Sequence, residues 1–86
     1  MIIGTIKINI HPNFDYSVAV VTNGFSSELG EYVKNTDWLM WEYPRKRQIR
    51  IDRIDGTELQ QFIDFVKSIG FDVYTRDERD DEWAAA

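Results

Sequence analysis

The sequence contains no cysteine, one histidine and two prolines in its 86 residues. Without cysteine, neither a disulfide framework nor a thiolate metal site can form. The absence of cysteine agrees with a reducing compartment. The first residues have no basic region, and no hydrophobic run approaches the roughly 20 residues that span a bilayer. We therefore expect a cytoplasmic protein with no signal peptide and no membrane association.

The sequence also lacks any motif that specifies catalysis, a metal or a cofactor. His11 lies in a predicted turn before Pro12, and the sequence supplies no partner that would orient it as a general base. The glycines form no phosphate-binding loop, and the acidic run at 77–82 lacks the spaced ligands and the central glycine of a calcium loop. We predict a protein that is not an enzyme, with no catalytic residues, no metal and no cofactor.

The composition favours a folded domain, because 43% of the residues are hydrophobic and 14% are aromatic. The net charge of −5 is unevenly placed, since residues 76–86 hold two arginines against five acidic residues. This excludes a globally basic protein that seeks phosphate groups, but not a local basic patch. We predict one domain over residues 1–75 and a flexible acidic tail over 76–86, whose last residues, 84–86, resemble a remnant of cloning.

Hydrophobic periodicity predicts five strands and two helices. The first strand ends at Ile10, and the second covers 16–22. Ser26 or Ser27 caps a short helix that ends near Asn35. Two strands follow around a turn at 43–48. The second helix is capped by Asp55 or Thr57 and ends at Gly70, before a last strand at 71–75.

This order, β-β-α-β-β-α-β, predicts an α+β fold: a single small domain with a mostly antiparallel sheet of four or five strands and two helices on one face. The predicted core takes the apolar positions that share the inner faces of these elements. They are Ile6, Ile8, Val18, Val20, Leu29, Val33, Met40, Ile51, Leu59, Phe62, Ile63, Val66 and Ile69.

The most unusual stretch is the predicted hairpin at 38–51, which combines two tryptophans and a tyrosine with several cations. A loop with an even number of residues pairs Glu42 with Ile49. Trp41, Tyr43 and Arg50 then lie on the sheet face opposite the helices. A loop with an odd number of residues moves the side chains of one strand to the other face. The register of this hairpin therefore decides which aromatic side chains are exposed.

Two interpretations of the hairpin remain open. Its aromatic residues can serve the core while its cations form a solvated turn, or the hairpin can form a binding platform, because Trp, Tyr and Arg dominate binding hot spots. The candidate partner-binding residues are Trp41, Tyr43, Arg45, Lys46, Arg47 and Arg50.

The leading functional hypothesis is a non-enzymatic protein-interaction module, such as a small regulator or inhibitor of the kind that phages and mobile elements encode. Its partner would be another protein or a second copy of the chain. The alternative is a nucleic-acid-binding accessory domain that acts through the cationic hairpin, which the negative net charge disfavours.

The acidic tail also allows two interpretations. It can be a solvated terminus, or it can be an acidic segment anchored by Trp83 that docks on a basic partner or folds back over the cationic hairpin. Charge complementarity between residues 80–82 and 45–47 supports the second interpretation, although exposed ion pairs stabilise little.

Residues 25–73 resemble the HARP or damage-recognition-like domain that lies beside the motors of some annealing and repair helicases. Four segments carry the resemblance in the same order: the helix Ser27-Glu-Leu-Gly-Glu-Tyr-Val33, the aromatic strand 38–43, the basic turn Arg45-Lys-Arg47, and the helix 60–70 that ends at a glycine. The resemblance implies the same succession of helix, hairpin and helix. It also implies that Arg45, Lys46, Arg47 and Arg50 contact a nucleic-acid backbone.

Overall fold

A computed structural model describes residues 2–24 and 26–86, so Met1 and Phe25, the first residue of the stretch that carries the family resemblance, lie outside the described residues. The helices are Ser27–Lys34 (α1) and Leu59–Ser68 (α2). The strands are Gly4–Ile10 (β1), Tyr16–Thr22 (β2), Leu39–Tyr43 (β3), Gln48–Asp55 (β4), Phe71–Asp77 (β5) and Ala84–Ala85 (β6). The predicted α+β fold is confirmed.

The strands of the described residues form one sheet in the order β3-β4-β2-β1-β5-β6. Neighbouring strands are antiparallel except β1 and β5, which are parallel. Helix α2 makes this possible, because parallel strands need a long crossover and α2 carries the chain from β4 past β2 and β1 to β5. The two-residue strand β6 was not predicted. Strand β5 also continues to Asp77, beyond its predicted end.

Both helices pack on the same face of the sheet, as predicted, since the buried side chains of helices and strands form one core cluster. The inward residues of α1 are Leu29 and Val33, and those of α2 are Phe62, Ile63 and Val66. Met40, Leu59 and Ile69, which were predicted in the core, are partly buried and pack against it. In the described part of the chain, no helix is long and apolar enough to cross a membrane.

The prediction that Val18 and Val20 lie in the core is wrong. Ala19 and Val21 are buried instead, with 0% and 1% exposure, while Val18 and Val20 face the side without helices. Residues 18–21 are all apolar, so alternation within β2 does not identify its inner face. Pairing with β1 identifies it, because Val21 lies opposite the buried Ile6.

A β-bulge in β4 keeps the inner face of that strand apolar. Ser17 pairs with Ile54 and Ala19 with Ile51, so Asp52 and Arg53 together lie opposite one residue of β2. Arg53 takes a left-handed conformation with φ of 61°. Strict alternation after Ile51 would turn Arg53 towards the core. The extra residue shifts the inward positions of β4 by one, so that Ile54 is buried as Ile51 is.

The helix ends follow from local hydrogen bonds. The Ser26 hydroxyl accepts the Leu29 amide at 3.0 Å and caps α1, as predicted. For α2 the predicted caps are wrong, because Glu58 occupies the N-cap position and makes no side-chain cap bond. The Asp55 carboxylate instead accepts the Thr57 amide at 2.8 Å and forms the turn before the helix. Gly70 ends the helix with φ of 111°, in the conformation that glycine adopts most easily.

Candidate functional site

The hairpin of β3 and β4 has the register that an even-numbered loop predicts. Glu42 lies opposite Ile49, and Trp41 lies opposite Arg50. The loop contains the 3-10 turn Pro44–Lys46 and Arg47, whose φ of 51° closes the turn with its amide donating to the Pro44 carbonyl at 3.2 Å. Because four residues connect the strands, alternation runs through the hairpin without a change of face.

This register separates the two hairpin tryptophans. Trp38, which precedes β3, packs edge-on against Phe62 with 5.3 Å between ring centroids and is 8% exposed. Trp41 and Tyr43 lie on the opposite face and are 44% and 43% exposed. Leu39 shares that face and is 40% exposed. The hairpin therefore presents three large apolar side chains to solvent, on a strand at the edge of the sheet.

The cations of the hairpin do not form one cluster. Lys46 and Arg50 line a shallow depression with Tyr43 on the face without helices. Arg47 lines a different depression with Asn23 and Glu42, and Arg45 lies beside Pro44 at the tip. Of the candidate residues, the structure thus brings together Trp41, Tyr43, Lys46 and Arg50, which together with Leu39 we call the hairpin patch. It does not bring Arg47 to this patch, whereas Arg45 lies at the edge of the patch, in a depression at the tip that Tyr43 and Lys46 also line.

A groove of about 670 Å³ lies on the same face, beside the hairpin patch, over β1, β2, β4 and β5. It was not predicted. The lining side chains come from four strands, the β1–β2 turn and the C-terminal segment, residues 78–86. They include Lys7, Asn9, His11, Arg50, Arg76 and Trp83. No carboxylate belongs to the lining in the described part of the chain.

Strand pairing explains how these cations come together. In one row across the sheet, Trp41 lies opposite Arg50, Arg50 opposite Val20, Val20 opposite Lys7, and Lys7 opposite Tyr74. Since neighbouring strands lie about 4.8 Å apart, Arg50 and Lys7 leave the sheet roughly 10 Å apart. These residues are far apart in the sequence and meet only through the sheet order.

Trp83 lies over the cations at the far side of the groove. The centroid of one of its rings is 4.7 Å from Arg76 Cζ and 5.6 Å from Lys7 Nζ, within cation–π range. The next two residues form β6, which pairs with β5, and the Ala86 amide just after β6 donates to the Val73 carbonyl at 3.0 Å. The C-terminal segment thus lies against β1 and β5.

The interpretation that this segment folds over the cationic hairpin is wrong for the described residues. The ion pairs found among them do not join residues 80–82 to residues 45–47. The acidic side chains of 80–82 are exposed, so the segment brings its indole to the groove without its carboxylates. The prediction that the tail is flexible stays a prediction.

His11 has a neighbour that the sequence did not indicate. Its Nδ1 lies 3.1 Å from Glu78 Oε2, which is an ion-pair distance, although the angles are not those of a hydrogen bond. Phe14 and Tyr16 flank the imidazole, with ring centroids 6.0 and 5.5 Å away. Because the Glu78 amide also donates to the Ile10 carbonyl at 2.9 Å, this cluster ties the start of the C-terminal segment to β1.

Tyr74 and Asp72 on β5 form a side-chain hydrogen bond at this end of the sheet. The Tyr74 hydroxyl donates to Asp72 Oδ2 at 2.8 Å. That bond and the carboxylate charge raise the pKa of Tyr74 above its ordinary value of 10.0. Within the described residues, no group of three or more His, Cys, Asp or Glu side chains is arranged to hold a metal ion.

Sequence reasoning missed the groove residues Lys7 and Arg76, and it named Trp83 as an anchor without indicating the groove in which Trp83 lies. The alternation of β1 does show Lys7 on the polar face, but Arg76 was assigned to the tail because of the local charge. What identifies the site is the parallel pairing of β1 with β5, which places Lys7 opposite Tyr74 and Asn9 opposite Arg76. No periodicity within either strand specifies that pairing.

The fold and this surface define a small α+β module with helices on one face of its sheet and an exposed aromatic and cationic surface on the other. Comparisons with protein-family models, with curated proteins and with solved structures found no match to the chain. The resemblance to the HARP domain stays a prediction.

Proposed function

We propose that this protein is a non-enzymatic protein-interaction module, a small regulator or inhibitor that binds a partner protein through the hairpin patch. The observation that carries the proposal is the exposure of Leu39, Trp41 and Tyr43 by 40% to 44%, beside the Arg50 guanidinium. A folded domain of this size has little reason to keep such side chains together in water. Trp, Tyr and Arg are also the residue types that contribute most to binding interfaces.

The edge position of β3 supports the same proposal. Among the described residues, β4 is the one strand that pairs with β3, which leaves the other edge of β3 available to pair with a strand of the partner. The strand carries one charged residue, Glu42, and no lysine or proline of the kind that protects sheet edges from pairing. A partner strand added there would lie directly beside Trp41 and Tyr43.

Affinity capture with a matched control tests this proposal. The tagged wild-type protein is compared with Trp41→Ala/Arg50→Ala and with Lys34→Ala/Gln61→Ala, whose changes lie at exposed positions in the helices. We expect a partner protein that the wild type and the helix variant capture equally. The hairpin variant should bind it at least about thirtyfold more weakly, since a hot-spot truncation costs about 2 kcal/mol or more.

Equal capture of every protein by all three forms would overturn the assignment of the hairpin patch. Sedimentation equilibrium over a range of protein concentrations identifies the case in which the partner is a second copy of the chain. The wild type and the helix variant would then associate, and the hairpin variant would remain monomeric. Melting curves of the three proteins confirm that these surface substitutions leave the fold intact.

A further inference from the structure

Lys7 and Arg76, two of the three Lys and Arg side chains that line the groove, form no ion pair among the described residues. Arg50 makes one contact of 3.4 Å with Asp52, and Lys7 and Arg76 contact the Trp83 indole. Within the described residues, Arg76 Nε has no hydrogen-bond partner although it is buried. Acidic residues outnumber basic ones by 15 to 10 in this chain. A groove that collects cations and excludes carboxylates in such a protein is complementary to a negatively charged ligand.

The C-terminal segment shows which other chemistry the groove accommodates. An indole from an acidic stretch of chain lies over Lys7 and Arg76, while the side chains of residues 80–82 are exposed to solvent. The segment therefore contacts the groove cations through its indole, and it brings no carboxylate to pair with their positive charge. A ligand that supplies an aromatic ring and carboxylates together would match both features.

We propose that the groove binds an acidic peptide segment with an aromatic side chain, and that this segment belongs to the partner protein. The inference rests on the proposed function and names the chemistry of the partner. The aromatic ring would take the place of Trp83 over Lys7 and Arg76, and the carboxylates would pair with Lys7 and Arg50. Because the groove continues into the hairpin patch at Arg50, one extended segment can contact both surfaces.

A peptide fits the charge of this protein better than a nucleic acid does. A nucleic acid carries a negative charge at every phosphate. The net charge of −5 and the exposed acidic run at 78–82 therefore repel it along its whole length. A peptide needs only two or three carboxylates at the groove. Its remaining residues can be apolar and can contact Trp41 and Tyr43.

The first part of the test measures a defined probe on the full chain. The probe is a fluorescently labelled peptide with the core Glu-Glu-Trp-Glu-Glu, followed by fluorescence anisotropy at low salt. We expect Trp83→Ala to bind it about five- to thirtyfold more tightly than the wild type, since two cation–π contacts of the chain's own indole are then absent. Equal or weaker binding by Trp83→Ala would show that the indole does not compete, and would overturn the proposal.

The second part locates the site with variants that carry equal charge changes. Lys7→Gln/Arg76→Gln and Arg45→Gln/Arg47→Gln each remove two positive charges, but only the first pair lines the groove. In the Trp83→Ala background, we expect the groove variant to lose about tenfold or more in affinity and the tip variant to lose less than about threefold. Equal losses in both would indicate long-range attraction alone and overturn the site. Lys7→Gln, at an exposed position, serves if the double variant does not fold.

The third part tests the chemistry of the ligand. A Gln-Gln-Trp-Gln-Gln probe and a Glu-Glu-Ala-Glu-Glu probe should each bind at least about threefold more weakly than the first, because each lacks one of the two features. Equal binding of all three probes would overturn the proposal. A thymidine oligonucleotide that binds more tightly than the peptide, with the same dependence on Lys7 and Arg76, would assign the groove to nucleic acid instead.

The two proposals can fail separately. The groove variant leaves the hairpin patch unchanged, and Trp41→Ala alone alters the hairpin patch while it leaves the groove cations Lys7, Arg50 and Arg76 in place. If the captured partner depends on the hairpin patch but the acidic probe does not bind, the proposed function stands and the inference about the groove is wrong. If the probe binds the groove while no protein depends on the hairpin patch, the proposed function is wrong.

Discussion

Two neighbouring valines of β2 allow a direct test of the face assignment. Val21 lies between Ile6 and Ile49 on the helix side of the sheet and is 1% exposed. Val20 lies between Lys7 and Arg50 on the other side and is only partly buried. Because residue type and strand are the same, Val→Ala at the two positions isolates the effect of burial.

The expected magnitudes differ severalfold. Val21→Ala removes two buried methyl groups at about 0.8 kcal/mol each, and the cavity that remains adds to this, for a total of about 2–3 kcal/mol. Val20→Ala removes side-chain surface that is partly in water, and the lower strand propensity of alanine keeps the cost at about 1 kcal/mol or less. For a domain of this size, each kcal/mol lowers the melting temperature by roughly 4–8 °C. Val21→Ala should therefore melt about 8–24 °C below the wild type.

Urea denaturation followed by the fluorescence of the buried Trp38 measures both free energies of unfolding. Differential scanning calorimetry gives the melting temperatures independently. A larger loss of stability in Val20→Ala than in Val21→Ala would refute the face assignment, because it would mean that β2 is turned over relative to β1. Equal losses would refute the premise that this sheet has only one buried face.

Two further predictions concern the helix layer and β5. Phe62→Ala should cost about 3–5 kcal/mol of unfolding free energy, because Phe62 is 0% exposed. As a control, Phe14→Ala should cost little, since Phe14 is 57% exposed. An unchanged urea midpoint in Phe62→Ala would contradict the placement of Phe62 in the core. NMR titration of the tyrosine rings should show the pKa of Tyr74 above 10.0 and a decrease towards that value in Asp72→Asn. Because the pKa of Tyr74 is higher in the folded than in the unfolded protein, protonated Tyr74 stabilises the fold. This contribution to the free energy of unfolding is fully present below pH 10.0 and is lost as the pH rises through the pKa of Tyr74 in the folded protein. An Asp72→Asn variant with an unchanged Tyr74 pKa would show that the hydrogen bond does not form.

Local patterns predicted most of the elements of this fold. The alternation of β1, the Ser26 cap of α1 and the glycine that ends α2 each depend on residues within a few positions of one another. Short-range sterics and hydrogen bonds decide such features, so the sequence contains the information in readable form. The hairpin register is not one of these features, because the sequence left loops of even and odd length open and the structure shows the four-residue loop 44–47.

The failed predictions have a different origin. The apolar run at 18–21 has no inner face of its own, and pairing with β1 decides that Ala19 and Val21 are buried. The cap of α2 differs because Asp55 is used in the turn that precedes the helix. In both places the residue types allow two local solutions, and contacts with distant or neighbouring elements select one of them.

By itself, the sequence determined the class of fold and the hairpin as a candidate site, since both depend on periodicity and composition. Only the tertiary structure decided that Lys7, Arg50 and Arg76 line one groove under Trp83. These residues belong to strands that are distant in the chain, and the crossover through α2 sets their order in the sheet. Pairing between distant strands depends on how the whole core packs, and no local pattern in the sequence encodes it.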